Sequence, residues 1–215
     1  QAIFDLVDDR VQWMPEAVGR AWNTDFYLDG LSTTFGTNPI TGCAGAIITT
    51  GSYAGQNVAT ETALQGQVSS AAPHTTFSTD PFPSLTTGIL SCYRGTDKGM
   101  GDYRPDTVLM DVTNFGYLLN ASNDLRRSIR HETDQELGTE KVTFMGCEVI
   151  MDRLAVASRI FILNMKYLEV HSPYPTFYVT KRKEEISPVS ISMLCFFYGK
   201  LVFKLLRPHA RITTA

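Results

Sequence analysis

The sequence predicts an α+β fold in which one long helix precedes a strand-rich region. The main observation is the stretch 142–170, where β-branched and aromatic residues form two apolar runs on either side of a polar corner at Asp152. Apolar residues also recur every three or four positions in the segment 5–28, as in an amphipathic helix. Two further apolar runs, 189–198 and 201–207, lie near the C terminus and have the length of strands.

The composition limits the classes of protein to which the chain can belong. Its 215 residues are 43% hydrophobic and 19% charged, with a formal net charge of −3. This length supports a core for one large domain or two small ones. The lack of a basic excess argues against a nucleic-acid-binding domain. No apolar run approaches the ~20 residues that a membrane span needs.

The four cysteines lie far apart in the sequence, at positions 43, 92, 147 and 195. None forms a C-x-x-C pair, and no histidine follows one of them at the spacing of a metal ligand. Cys147 and Cys195 fall inside apolar runs, which favours buried free thiols. We therefore expect reduced cysteines and no metal-binding residues.

No stretch carries the residue pattern of a catalytic or nucleotide-binding site. Three glycines surround Lys98, but their order is wrong for a phosphate-binding loop. Asp134 and Glu136 lie in a polar, charged segment, where carboxylates are solvated rather than paired for acid–base catalysis. The histidines are dispersed, although a catalytic triad is recognised by geometry and not by order. The expectation is no catalytic residue, no cofactor and no enzyme activity.

The first helix is expected over 5–28. Pro15 conflicts with this prediction, because proline in a helix interior removes one hydrogen bond and clashes one turn back. A kink near Val11 or a restart at Pro15 would resolve the conflict. The apolar stripe of this helix consists of Val7, Val11, Met14, Val18 and Trp22.

The segment 31–83 is rich in Gly, Ser, Thr, Ala, Asn and Pro and is almost free of charge. It predicts either a surface loop system or a set of packed extended segments, because it is too apolar for a flexible linker. Three elements follow it. They are a helix over 84–97 with Ser84 as N-cap, a buried strand over 105–111, and a helix over 114–130 capped by Thr113 or Asn114.

The stretch 142–170 is expected to contain two strands. The first carries Phe144, Gly146 and Ile150, and the second runs from Ile160 and closes on Asn164. Farther along the chain, Gly199 and Lys200 predict a hairpin turn between the strands 189–198 and 201–207.

The order of these elements resembles that of tailed-phage major capsid proteins of the Hong Kong 97 type. Each matching motif is short, and it is their shared order along nearly the whole chain that carries the resemblance. The matching residues are Phe26, Tyr27, Gly30, Ile40, Gly42, Ala46, Pro105, Asp106, Val108, Leu109, Asn114, Phe115, Tyr117, Phe144, Gly146, Val149, Asp152, Phe161, Leu163, Asn164, Leu168, Gly199, Leu201, Pro208 and Ile212.

This resemblance implies a capsid fold with a long spine helix, a peripheral-domain antiparallel sheet and a mixed α/β axial domain. It places residues 1–30 and 165–215 in the peripheral domain and residues 31–164 in the axial domain. In the family an N-terminal arm and an extended loop precede the spine helix. The matched positions begin at the spine helix, so the resemblance gives no basis for naming a cross-linking lysine.

The implied function is structural. Copies of the chain would form pentamers and hexamers of an icosahedral phage head, which encloses packaged DNA without sequence-specific binding. Portal, scaffold or decoration proteins would be further partners, and no membrane is involved. The protein would reside in the virion capsid after assembly in the host cytoplasm. An encapsulin-like compartment shell is the alternative, and a hydrolase with an unrecognised site is the option from a different class.

Two charged stretches are the candidates for contacts between subunits. For the first stretch, a solvated helix end is the other interpretation, because cations suit the C-terminal dipole of a helix. A DNA-facing surface is disfavoured there, because acidic residues follow immediately. The candidate contact residues are Arg126, Arg127, Arg130, Lys181, Arg182, Lys183, Glu184 and Glu185.

Overall fold

A computed structural model of the chain describes residues 2–29, 41–61, 64–70, 77–94, 104–125, 130–134, 139–172, 177–179, 183–184, 191–192, 195–197 and 199–214. The helices of this part are α1 (Ala2–Tyr27), α2 (Cys43–Ala46), α3 (Pro81–Arg94) and α4 (Val112–Leu125), with a 3₁₀ turn at Met165–Tyr167. The strands are β1 (Ser52–Tyr53), β2 (Gln56–Asn57), β3 (Gln67–Ser70), β4 (Thr107–Met110), β5 (Arg130–Asp134), β6 (Thr139–Phe144), β7 (Cys147–Met151), β8 (Arg159–Leu163), β9 (Leu168–His171), β10 (Phe177–Val179), β11 (Lys183–Glu184), β12 (Ile191–Ser192), β13 (Cys195–Phe197), β14 (Lys200–Phe203) and β15 (Ala210–Thr213).

A seven-stranded mixed sheet is the centre of the described structure. Its strand order is β3-β15-β8-β4-β7-β6-β5. The pairs β3/β15 and β4/β7 are parallel, and the other neighbours are antiparallel. Four two-stranded sheets accompany it: β1/β2, β9/β14, β10/β13 and β11/β12. Helices with mixed and antiparallel sheets confirm the predicted α+β class.

One face of the large sheet packs against α3 and α4. The register aligns Val108 with Val149 on one side and with Ile162 on the other, so these side chains enter one core. Successive residues of a strand point to opposite faces. Gly88 lets α3 approach closely, because a Cβ atom there would lie 2.6 Å from the Ile162 side chain.

The other face of the sheet carries a second core. Phe161 and Leu163 of β8 are fully buried there, against Tyr27 at the end of α1 and against α2. Leu201 contributes from β14. The sheet is thus covered on both faces near β8, and the C-terminal end of α1 is held against it.

Helix α1 continues through Pro15 without a break. The predicted restart at Pro15 is therefore wrong: proline removes one N–H donor, while the hydrogen bonds on either side maintain the helix. Val18 and Trp22 of the predicted stripe are half-buried, and Trp22 packs against the second core. The side chains of Val7, Val11 and Met14 lie outside the described residues.

The first strand predicted in 142–170 is instead a hairpin. A two-residue turn at Met145 and Gly146 joins β6 to β7, and Phe144 pairs with Cys147 across it. Both turn residues have positive φ, +50° and +80°. Two consecutive left-handed residues match the twist of an antiparallel pair.

Both central helices begin earlier than predicted. Helix α3 begins at Pro81, where a missing N–H removes no helical hydrogen bond. Ser84 lies inside its first turn and donates its hydroxyl to the Asp80 carbonyl at 2.9 Å, so it is not the N-cap. The cap of α4 is Asp111, whose carboxylate accepts the Thr113 and Asn114 N–H groups at 3.0 and 3.2 Å.

The predicted hairpin at Gly199 and Lys200 does not form. Strand β14 pairs with β9, and β13 pairs with β10. The β9/β14 register sets Leu201 opposite Val170 and Phe203 opposite Leu168. Leu201 and Phe203 are buried in the second core, and this long-range burial decides the pairing.

The last strand lies in the large sheet and not in a sheet of its own near the C terminus. Strand β15 (Ala210–Thr213) lies between β3 and β8. Ile212 of this strand is buried beneath α3 in the first core. The division into a peripheral domain, residues 1–30 and 165–215, and an axial domain, residues 31–164, stays a prediction.

Candidate functional site

Asp152, at the corner between β7 and β8, forms hydrogen bonds with the end of α1. One carboxylate oxygen accepts hydrogen bonds from Tyr27 Oη at 2.7 Å and Asn23 Nδ2 at 2.9 Å, and the other accepts Leu154 N at 2.8 Å. Burial alone would raise the pKa of Asp152, but these hydrogen bonds hold it below its usual value. The carboxylate is therefore ionised at neutral pH and anchors the helix.

Two glycines allow α2 to pack closely against the same end of α1. A Cβ atom on Gly42 would lie no more than 2.6 Å from the carbonyl oxygens of Asp25, Phe26 and Leu28. Gly45 likewise approaches the carbonyl of Asp29. Only glycine permits this separation between two backbones.

A second joint forms where the chain leaves the large sheet at the end of β8. Asn164 Nδ2 donates to the Arg104 carbonyl at 2.8 Å, and Asn164 Oδ1 accepts Lys166 N at 3.1 Å. Nearby, the Asp106 carboxylate accepts Met165 N at 3.1 Å. The start of β4, the end of β8 and the following 3₁₀ turn are thereby fixed to one another.

The polar residues that carry the family resemblance are thus fasteners between elements. Asp106, Asp152 and Asn164 have the contacts given above, and Asn114 donates through Nδ2 to the Ala157 carbonyl at 2.7 Å. The sequence marks these four positions as matches to the family but assigns them no role. For Asp152 and Asn164 the signal is a polar residue directly after an apolar strand, whereas Asp106 directly precedes β4 and Asn114 lies in the first turn of α4.

Several large apolar side chains remain exposed at the end of the sheet where β4 and β7 finish. Val112 and Met151 are exposed by 48% and 46%, and Leu154 is also exposed. The hydrogen bond from Asp152 N to the Met110 carbonyl, at 2.9 Å, keeps these segments together. Exposed apolar groups that lie together are typical of surfaces that contact another protein.

The predicted contact residues are placed only in part. Arg130 begins β5, the strand at one end of the large sheet, where it pairs with Thr143. Lys183 and Glu184 form β11, opposite β12. The remaining predicted residues lie outside the described part: Arg126, Arg127, Lys181, Arg182 and Glu185. Contacts between subunits at both charged stretches remain predictions.

The described residues contain three buried cysteines and no disulfide between them. Cys43, Cys92 and Cys147 are free thiols with no exposed surface. Burial raises the pKa of Cys92 to about 12 and that of Cys147 to about 11, so both stay protonated and unreactive at neutral pH. The expected buried thiol is confirmed for Cys147. The side chain of Cys195 lies outside the described residues.

Groups capable of chemistry are sparse in the part of the chain that the structure describes. No three His, Cys, Asp or Glu side chains there come together as a metal-binding group. His171 Nε2 lies 3.0 Å from Glu169 Oε2, and both residues line an open depression with Val170 and Ser172. Both side chains are exposed to solvent there, whereas an acid–base pair is usually shielded from it. Of the helices described, none combines the length and hydrophobicity needed to cross a membrane.

Comparison with known proteins relates the fold to viral shells. No protein-family model and no curated protein matches the sequence. Among solved structures, the capsid of cyanophage A-1(L) superposes with a TM-score of 0.68 at 17% identity, over 99% of this chain and 70% of that one.

Two further structures share the fold. The capsid of the Myoviridae phage XM1 gives a TM-score of 0.58 at 12% identity, over 98% of this chain and 65% of the phage protein. The SrpI encapsulin of Synechococcus elongatus PCC 7942 gives 0.58 at 9% identity, over 96% of this chain and 65% of the encapsulin. The chain thus spans about two thirds of the length of these proteins, and it has the Hong Kong 97-type fold that its sequence predicts.

Proposed function

We propose that this chain is the shell-forming part of a tailed-phage major capsid protein. The observation that carries the proposal is the superposition on the cyanophage capsid protein over 99% of this chain. Many copies would assemble through repeated heterologous contacts into pentamers and hexamers of an icosahedral head. Each contact can be weak, because a closed shell holds every subunit through several contacts at once.

The features of the molecule suit a structural role rather than catalysis. Its polar hydrogen-bonding groups fasten elements together, as Asp152 and Asn164 do. Its net charge of −3 fits a shell that encloses DNA without gripping it. The protein would reside in the virion after assembly in the host cytoplasm, and portal, scaffold and decoration proteins would be its other partners.

An encapsulin-like compartment is the second candidate, because the SrpI encapsulin shares the fold. The two proposals differ in the contents of the particle. Light scattering and electron microscopy of the full-length protein carrying this chain, purified from its natural host, would test both. A closed megadalton shell containing DNA supports the phage head, and a shell containing protein cargo supports the compartment. A stable monomer or dimer would contradict both proposals.

Charged contacts between subunits are part of the proposal. Reversing Arg126, Arg127 and Arg130 to Glu, or Lys181, Arg182 and Lys183 to Glu, is expected to lower the yield of shells severalfold while circular dichroism stays unchanged. Opposed like charges destabilise a contact that opposite charges had stabilised. The control is Lys200→Glu, which reverses an exposed charge at the start of β14. Normal shell yields from both triple variants would refute these contacts.

A further inference from the structure

His209 is the one histidine among those with described side chains that is completely buried. It lies just before β15, where the chain returns from β14 to the large sheet. The chain crosses between the large sheet and the β9/β14 pair twice. The first crossing leads from β8 to β9 through Asn164, and the second leads from β14 to β15 through His209. The two crossings connect the β9/β14 pair to the large sheet, and His209 touches both.

The contacts of His209 span three strands. Its Nδ1 accepts the backbone N–H of Asn164 at 3.3 Å, at the end of β8. Its ring stands perpendicular to that of Phe203 on β14, with ring centres 5.0 Å apart. Its backbone carbonyl accepts the N–H of Gln67 on β3 at 3.0 Å. A single residue thus joins the large sheet to the β9/β14 pair.

The hydrogen bond from Asn164 determines the protonation state of the ring. An acceptor nitrogen needs a free lone pair, so Nδ1 carries no proton and the proton of the neutral ring is on Nε2. Nε2 is buried and has no hydrogen-bond partner of good geometry, while a hydrogen bond with the Leu205 backbone offsets part of the effect of burial on the pKa of the ring. A second proton on Nδ1 would eliminate the hydrogen bond from Asn164 and place a charge in an apolar site.

The charged side chains on the neighbouring elements have other contacts. They are Arg104 and Asp106 before β4, Lys166 in the 3₁₀ turn, and Lys204 and Arg207 between β14 and β15. The Asp106 carboxylate accepts Met165 N, and Lys204 forms an ion pair with Glu169. Arg104 lies against Gly146, and Lys166 is 5.8 Å from the centre of the Tyr167 ring.

We propose that His209 is a pH-sensitive switch, here called the latch, whose protonation opens the joint between the large sheet and the β9/β14 pair. The neutral ring holds both crossings together. Protonation opens the joint locally, while the rest of the large sheet remains folded. The latch is a property of the chain itself and goes beyond its role in a shell, so it can be tested whether or not the particle proposal holds.

The size of the effect follows from burial. Burial lowers the pKa of His209 from the ordinary 6.5 to about 4, whereas the opened joint exposes the ring and restores the ordinary value. Between these two values the open form binds more protons, so the open population rises as the pH falls. Lowering the pH from 7 to 5 is expected to raise it roughly 20-fold.

Hydrogen–deuterium exchange read by mass spectrometry, on the protein as purified, tests the latch. Rates measured from pH 7 to 4.5 are corrected for the pH dependence of chemical exchange. Peptides covering Asn164, Gln67 and β14 are expected to lose about 20-fold protection between pH 7 and 5. Peptides covering β4 and β7 are expected to keep theirs.

Two variants separate His209 from other acid-titrating groups. His209→Asn retains an acceptor near the position of Nδ1 but cannot be protonated, so it is expected to abolish the pH response. His171→Asn removes an exposed histidine from β9 and is expected to leave it unchanged. Constant protection at the joint, equal loss in β4 and β7, or an unchanged response in His209→Asn would each overturn the proposal. If His209→Asn does not fold, the comparison of peptides in the unsubstituted protein still decides.

Discussion

Gly42→Ala is expected to destabilise the contact between α2 and the end of α1. The backbone of Gly42 has φ −81°, which any residue can adopt, so conformational strain is not the reason. The reason is steric: the new methyl group would lie 2.5 and 2.6 Å from the Leu28 and Phe26 carbonyl oxygens and also against that of Asp25. All three are backbone atoms in or directly after the last turn of α1, and they cannot rotate away as side-chain atoms can.

The magnitude follows from that geometry. A methyl group needs about 3.5 Å from its neighbours, so α2 and the end of α1 must separate by roughly 1 Å. Overpacking in a well-packed region costs about 1–3 kcal/mol. Because the clash involves three backbone groups and opens the second core around Tyr27, we expect the free energy of unfolding to fall by at least about 3 kcal/mol.

Urea unfolding followed by tryptophan fluorescence measures this loss, since both tryptophans of the chain, Trp13 and Trp22, lie on α1. The matched control is Gly19→Ala on the same helix, where a Cβ atom would meet nothing within 4 Å. Alanine is the better helix former, so this control is expected to gain about 0.5–1 kcal/mol. A loss below about 1 kcal/mol in Gly42→Ala, or an equal loss in both variants, would refute the close-approach argument.

Three further predictions concern the other fastenings. Tyr27→Phe is expected to lower the free energy of unfolding by about 1–2 kcal/mol, because it removes a hydrogen bond to the ionised Asp152. Hydrogen bonds hold the pKa of Asp152 below its usual value of 3.8, so this contribution is fully present above that pH and is lost as the pH falls through the lowered pKa. Urea unfolding should therefore show a larger loss at pH 7 than at pH 3. Gly146→Ala is expected to cost about 1 kcal/mol, because φ is +80° there and the Arg104 side chain must move aside; Gly146→Asn, which tolerates that φ better, should cost less in the same assay. Asp111→Ala is expected to cost about 1–2 kcal/mol by removing the cap of α4, and Asp111→Ser should recover most of it in thermal unfolding.

The contacts at the end of α1 also bear on the proposed assembly. Asp152 and Gly42 fix the joint between α1 and the sheet from two directions, one through hydrogen bonds and the other through backbone contact. If the chain forms the proposed shell, a variant that weakens this joint is expected to form fewer shells even though its outer surface is unchanged.

Local properties of the sequence were sufficient for much of the fold. The helix over most of 5–28, the strand near 105–111 and the second strand of 142–170 follow from the spacing of apolar residues, which depends only on the geometry of each element. The order of Asp106, Asp152 and Asn164 along the chain also predicted the fold family. Their role as fasteners was not readable, because the partners of Asp152 lie 125 and 129 residues away along the chain.

Only the tertiary structure decided which strands pair. An apolar run shows that a strand will be buried, but it does not identify its neighbour. The sequence therefore predicted that β14 would fold back on β13, whereas burial of Leu201 and Phe203 in the second core sets β14 against β9. In the same way, β15 pairs within the large sheet and not with the strands that precede it in sequence, because this position buries Ile212 beneath α3. Local spacing thus predicted most of the helices and the central strands, and the order of the motifs predicted the fold, whereas packing between distant segments determined the pairing of the strands.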